Sequence, residues 1–384
     1  MPRVSFNRFH YFPEITASWP ERTGFINLSL DDKQSVLLTF LLGQVDNNSP
    51  DLGPAIRHMR ECVEERPFLI DLLKHLAPAP YEPAAGLADA RAQERYNREA
   101  DIKQRYDRTI NDLTNPADGF AAWRAFVGQW PNAVPVIQFT QPRTQARNIL
   151  RQATMLSAGN QSIAIRLNRA SADELYPIIS NIFAVVERPS RILFILDMGQ
   201  ARSQMQEREA FVTEAVTQIS ALLDARYHSQ LRFVSTGGSY PQSTPNGLHE
   251  RNIHEREIWN NLTEATDIRY GDYASMHRLV PTTTFRPSDF RAAASLPLNV
   301  SWLCWRSENA NDTTEWQTGA QAIVEHDEFD GSVECWGKEI IRRSAAGDTN
   351  NIEANRHWIA ARINMHIKTQ IEYSSDLTED DIDL

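Results

Sequence analysis

The chain has 384 residues, a net charge of −11, and 41% hydrophobic and 23% charged residues. That composition is globular, is long enough for one large α/β barrel with an appendage or for two ordinary domains, and disfavours a broadly basic nucleic-acid surface while leaving room for a local basic groove. No apolar run approaches the roughly 18 residues of a membrane span, and the start, Met1-Pro-Arg-Val-Ser-Phe-Asn-Arg8, has no apolar signal region, so a cytosolic protein is expected.

The first strand is read at Tyr11-Phe-Pro-Glu-Ile15, with Pro13 suiting a strand margin. The connection after it is expected to be irregular, and the apolar run at 35–42 reads as the second strand. Apolar residues Ala55, Ile56, Met59 and Val63 recur at helical spacing over 53–66, and Pro67-Phe-Leu-Ile-Asp71-Leu-Leu follows as the third strand. Residues 77–81 are rich in proline and alanine. They introduce a long charged helix over 87–114, which reads as a solvated face, and a helix over 119–129 with Phe120, Trp123 and Phe126 spaced to pack on a sheet.

From residue 134 the alternation becomes regular. Strands at 134–139, 162–167 and 191–198 are separated by helices at 143–156 and 172–186, a repeat that predicts parallel pairing through right-handed crossovers. The run Ile192-Leu-Phe-Ile-Leu-Asp197 is apolar without alternation, as in a strand covered on both faces, and it ends in a carboxylate. A helix over 204–227 leads to a strand at 230–235 and a flexible turn at Thr236-Gly-Gly-Ser239. A helix over 249–265 leads to Asp267-Ile-Arg-Tyr-Gly-Asp-Tyr273, the eighth strand by position. Eight such units predict a TIM-like (β/α)8 barrel over residues 1–286; an open six-stranded sheet is the alternative. Residues 287–373 read as an α+β extension packed on the barrel, with strands at 300–305 and 332–336 and a helix at 315–325. Residues 374–384 form an acidic tail, either solvated or docking on a partner's basic pocket.

Several segments together resemble the beta protein family of phages, prophages and bacterial mobile elements: Tyr11-Phe-Pro, Pro67-Phe-Leu-Ile-Asp71, Pro135-Val-Ile, Ile163-Ala-Ile-Arg166, Phe194-Ile-Leu-Asp197-Met-Gly and Arg269-Tyr-Gly-Asp-Tyr273. The C-terminal Trp336-Gly337 and Trp358…Asn364…His366 add to the resemblance. They also depart from it, because Lys338 stands where the family tends to have aspartate and Met365-His366 where it tends to have paired histidines. The resemblance implies a barrel-like fold and a role in phage–host conflict, and no established reaction.

On a barrel, Glu14, Asp71, Gln138, Arg166, Asp197, Ser235 and Asp272 fall near the ends of seven strands, the rim from which barrel enzymes draw their chemistry. Carboxylates gathered there either raise one another's pKa or recruit a cation, and Arg166 can neutralise them or hold a phosphate. Two functions follow. The first is binding of a protein or nucleic-acid partner in defence or counter-defence, with Gln138, Ser235 and Tyr273 as contact residues and no cofactor. The second is a phosphodiesterase-like hydrolase using Glu14, Asp71, Arg166, Asp197 and Asp272, in which carboxylates would hold a divalent metal. No metal-ligand motif, Walker loop or nucleophile elbow is present. The cysteines Cys62, Cys304 and Cys335 lack metal spacing and read as reduced core residues.

Overall fold

In the computed structural model, residues 2–45, 49–73, 90–159, 161–263, 266–278, 291–348, 352 and 354–379 are described. Eight strands form one parallel sheet: β1 (Tyr11–Thr16), β2 (Thr39–Leu42), β3 (Phe68–Leu72), β4 (Ala133–Pro135), β5 (Ile163–Asn168), β6 (Ile192–Gln200), β7 (Arg232–Gly238) and, after an intervening strand β8 (Gly247–Asn252), β9 (Ile268–Asp272). Their spatial order is β4-β3-β2-β1-β9-β7-β6-β5. A parallel bridge from Val136 to Ala164 joins the two ends, with the Ile137 amide donating to the Ala164 carbonyl at 2.8 Å. The sheet thereby closes as the expected TIM-like barrel, and β6 pairs in parallel with both neighbours.

Closure gives each strand two kinds of apolar surroundings. Leu37, Leu69, Val134, Val136, Ala164, Leu193, Ile195 and Val234 fill the barrel interior, which Val4, Phe6 and Phe9 plug from the N-terminal side. Alternate residues such as Phe40, Ile70, Ile165, Phe194, Leu196 and Phe233 pack outward in the large cluster shared with the helices. Strands sandwiched in this way bury both faces, which is why their sequences do not alternate.

Between the strands run α1 (Trp19–Ile26), α2 (Leu30–Ser35), α3 (Gly53–Val63), α4 (Ala90–Leu113), α5 (Ala117–Val127), α6 (Pro142–Leu156), α7 (Ala172–Val185), α8 (Met205–Ala221) and α9 (His254–Thr263). The first connection is therefore not irregular. It holds two short helices, each started by a serine whose hydroxyl accepts from the amide three residues on, Ser18 from Glu21 and Ser29 from Asp32, an N-cap signal in the sequence that apolar periodicity does not report. The helix expected to begin at residue 249 begins at His254, because residues 247–252 are taken into a second sheet as β8. Positions 77–81 and 87–89 lie outside the described residues.

The second sheet is antiparallel, in the order β10 (Arg291–Pro297), β11 (Ser301–Ala310), β8. Four helices follow: α10 (Glu315–Val324), α11 (Glu328–Gly331), α12 (Trp336–Ala345) and α13 (Asn355–Glu379). The strand expected at 332–336 is absent. Residues 332–335 are irregular and Trp336 opens α12, whose apolar residues Ile340 and Ile341 bury one helical face. Helix α13 lies against α1, α12, β10 and β1. Gly24 lets it come close to α1, since a Cβ there would stand 2.7 Å from the Ala360 carbonyl oxygen. Ser374 is buried within this packing and accepts from Arg256 at 2.8 Å. The helix runs on to Glu379, and 380–384 lie outside the described residues. Among the described residues, no helix is long and apolar enough to cross a membrane.

Candidate functional site

At the C-terminal mouth of the barrel the innermost polar layer is built around Arg166 on β5. Its Nε donates to Asp71 Oδ2 at 2.8 Å, and its Nη1 donates to Glu14 Oε1 at 2.8 Å and to Asp197 Oδ2 at 2.9 Å. Glu14, Asp71 and Asp197 come from β1, β3 and β6, so residues up to 183 positions apart in sequence meet on one guanidinium only because the sheet is closed. Burial alone would loosen the proton of Arg166, but the three carboxylates outweigh it and raise its pKa well above the ordinary arginine value. The arginine is therefore a permanent cation, and it holds three groups together that would otherwise repel.

Each carboxylate also has further partners. Asp71 Oδ1 accepts from the Leu72 amide at 2.8 Å and from Gln138 Nε2 at 3.0 Å. Asp197 Oδ1 accepts from the Gly199 amide at 2.9 Å and from the Tyr273 hydroxyl. Glu14 Oε2 accepts from Arg278 Nη1 at 3.1 Å, and Arg278 reaches on to Glu21 at 3.5 Å. Burial first, and then the charges of Asp197 and Glu14, push the Tyr273 phenol well above the usual tyrosine value, so it stays a donor. Gly238 makes room for that ring, because a Cβ there would lie 2.7 Å from Tyr273 Cδ2.

Above this layer opens a cavity of about 490 Å3. Its lining combines the apolar side chains of Leu41, Leu72, Leu73, Ile137, Phe139 and Pro142 with Arg166, Asn168, Asp197, Tyr273, Arg278 and Glu174. Four carboxylates thus face two guanidinia in the lining, a balance that suits a ligand with an apolar face and hydrogen-bond donors or positive charge better than a phosphate backbone. Among the described residues no group of three or more His, Cys, Asp and Glu side chains is placed to share a metal ion. The position between the three rim carboxylates is held by Arg166.

Of the residues expected at the rim, Glu14, Asp71, Arg166, Asp197 and Tyr273 line the cavity. Gln138 stands directly behind Asp71, itself clamped by Gln152, which accepts from the Gln138 amide at 2.8 Å and donates to its carbonyl at 3.0 Å. Ser235 and Asp272 do not join them. Both are buried, and Asp272 points outward, into the layer between the barrel wall and α13. Its carboxylate accepts from Tyr11 at 2.7 Å, from Tyr270 at 2.8 Å, from His366 Nε2 at 2.8 Å and from the Ala274 amide at 2.8 Å. Asp272 nevertheless serves the mouth. By capping the Ala274 amide it fixes a turn in which Ala274 and Ser275 both take left-handed backbone angles, φ 48° and 60°, and that turn carries Tyr273 and Arg278 back over the cavity. Strained turns of this kind persist where the surroundings hold them.

The C-terminal segment around Trp358, Asn364 and His366 lies away from the cavity and ties helices together. Asn364 accepts from the Gly337 amide at 2.9 Å and donates to the Gly24 carbonyl at 3.0 Å, while His366 anchors Asp272. Arg278, Asn168 and Glu174 are lining residues that no sequence pattern marked: Asn168 ends β5, Glu174 stands in the first turn of α7 and Arg278 lies in a loop after β9.

A family model described as Beta protein matches residues 11–372. The chain is also 24% identical over 384 residues to Protein beta of Enterobacteria phage P4, a match that spans 98% of this chain and 96% of that protein.

Proposed function

The chain belongs to the beta protein family, and from that premise we propose that it is a cytosolic phage- or mobile-element-associated protein acting in phage–host conflict by binding a protein partner at the mouth of its barrel. The observation that carries this reading is the ion-paired cavity. Its carboxylates and Arg166 are already matched to one another at 2.8–2.9 Å, which presents a rigid, preorganised surface rather than a free nucleophile or an open cation site. The excess of carboxylates in the lining favours a protein segment bearing a basic or donor-rich side chain over nucleic acid.

A variant that fills the cavity without touching the ion pairs tests this. Ala170 lines the lip and is exposed, so Ala170→Trp should leave the fold intact and abolish both the effect on phage plating and partner capture. A stably folded Ala170→Trp protein with undiminished effect would sink the proposal.

The convergence of Glu14, Asp71 and Asp197 on a solvent-reachable cavity also supports a second reading, a phosphodiesterase-like hydrolase. It would require a divalent cation to compete with Arg166 for the carboxylates, or Arg166 itself to take the phosphate. Turnover of an aryl phosphodiester with manganese, absent in a folded Asp197→Asn variant, would favour it over binding alone.

A further inference from the structure

The opposite end of the barrel carries a second cavity, of about 230 Å3, that the reading above does not use. Three cations from three separate segments line it: Arg8 at the end of the short 3-10 turn Phe6–Arg8, Lys33 in α2, and Arg66 just before β3. Gln34 adds an amide, Phe9 and Val36 form an apolar floor, and among the described residues no carboxylate lines it. In a chain of net charge −11, this gathering runs against the average surface.

The three groups retain unused hydrogen-bonding capacity. Lys33 Nζ donates to the Ile26 carbonyl at 2.7 Å, which leaves two of its three N–H bonds. The Arg8 guanidinium lies over the Phe9 ring at 4.4 Å and has no ion-pair partner among the described residues. Arg66 spends Nη2 on the Cys62 carbonyl, and its buried Nη1 lies 3.2 Å from Glu64, which is 55% exposed, without a hydrogen bond to it. Burial, and after it the charge of Arg66, draws the Lys33 pKa below its ordinary value against the smaller opposing pull of Glu64, as expected of like charges held together.

We propose that this cavity at the N-terminal end of the barrel is an oxyanion site that takes a phosphate group. Two guanidinia offer the forked donors that phosphate oxygens fit, and the ammonium adds a point charge. The apolar floor of Phe9 and Val36 leaves space beside the phosphate for the ester group that carries it. Such a group belongs either to a free phosphate ester or to a nucleic-acid backbone, and both present the same oxygens.

Titration calorimetry and thermal unfolding of the full chain with inorganic phosphate, at ionic strength held constant with sodium chloride, test the site. Phosphate should bind saturably and raise Tm with its concentration, while the chloride control does neither. The Arg8→Gln, Lys33→Gln double variant should bind phosphate about tenfold more weakly or worse, a loss of roughly 1.4 kcal/mol. Because Lys33 also holds the Ile26 carbonyl, Arg8→Gln alone is the parallel arm, which should weaken binding by itself with an unaltered phosphate-free Tm. Absence of saturable phosphate binding, or binding unchanged in folded variants, overturns the proposal. Competition by a mononucleotide assigns the site to free phosphate esters. Capture of a short labelled oligonucleotide that is lost in the same variants assigns it to a nucleic-acid backbone.

Discussion

Replacing Arg166 by methionine should destabilise the protein by about 3–5 kcal/mol at neutral pH, the cost of breaking a buried ion pair by removing one partner. The side chain is 16% exposed and holds three carboxylates at 2.8, 2.8 and 2.9 Å. At an effective dielectric constant near 20, each pair is worth about 4 kcal/mol of gross attraction, offset by the cost of taking the charges from water. The loss stays below the gross sum because each carboxylate keeps other partners: Arg278 for Glu14, Gln138 for Asp71, and Tyr273 with the Gly199 amide for Asp197. The deficit should shrink by at least half when Glu14→Gln, Asp71→Asn and Asp197→Asn are added, because neutral partners no longer repel. Urea unfolding of the single and combined variants at neutral pH measures this. A loss under about 1 kcal/mol, or a combined variant no more stable than Arg166→Met, would refute the assignment of Arg166 as the electrostatic centre of the layer.

Asp272 should shape the acid limb of stability. Burial by itself would raise its carboxyl, but His366 and the hydroxyls of Tyr11 and Tyr270 outweigh it and hold it below the ordinary aspartate value. A carboxyl depressed in the folded state stabilises fully above its unfolded value of about 3.9 and loses that contribution as pH falls through the folded value. Wild type should therefore lose stability more steeply below about pH 4 than Asp272→Asn, and parallel stability curves would contradict this. Gly337→Ala should cost about 1–3 kcal/mol in thermal unfolding, because the new Cβ would collide with the Ala361 carbonyl where α12 meets α13; an unchanged Tm would show that the two helices part freely. Cys62 is buried, and burial pushes its thiol up to about 12, so it should resist a disulfide reagent in the native protein and react on unfolding.

How the rim assembles bears on any reading of its chemistry. The apolar runs ending in Asp71 and Asp197 were legible as strands delivering carboxylates to one end of a barrel, and Arg166 as their natural neutraliser, because strand length, helix length and order are local properties. The cap-driven helices α1 and α2 were missed where apolar periodicity is weak and two serines carry the signal. Strand β8 was missed because Gly247-Leu-His-Glu-Arg-Asn252 is mostly solvent-exposed; a polar edge strand exists through its pairing with β11, not through its own residues.

Asp197 and Asp272 show the division most plainly. Asp197 follows the apolar run 192–196 and Asp272 the shorter, charge-interrupted segment 268–271, and the sequence places both near strand ends. Which of them faces the cavity depends on the parity of its position within a strand buried on both sides, and such strands carry no alternation from which parity can be read. The sequence alone determined the eight strands of the barrel and the residues able to carry charge. Tertiary closure decided that Asp197 turns inward to Arg166, that Asp272 turns outward to His366, and that Arg278, from a polar loop without any pattern, reaches Glu14, because inward and outward are defined only once the sheet has curved back on itself.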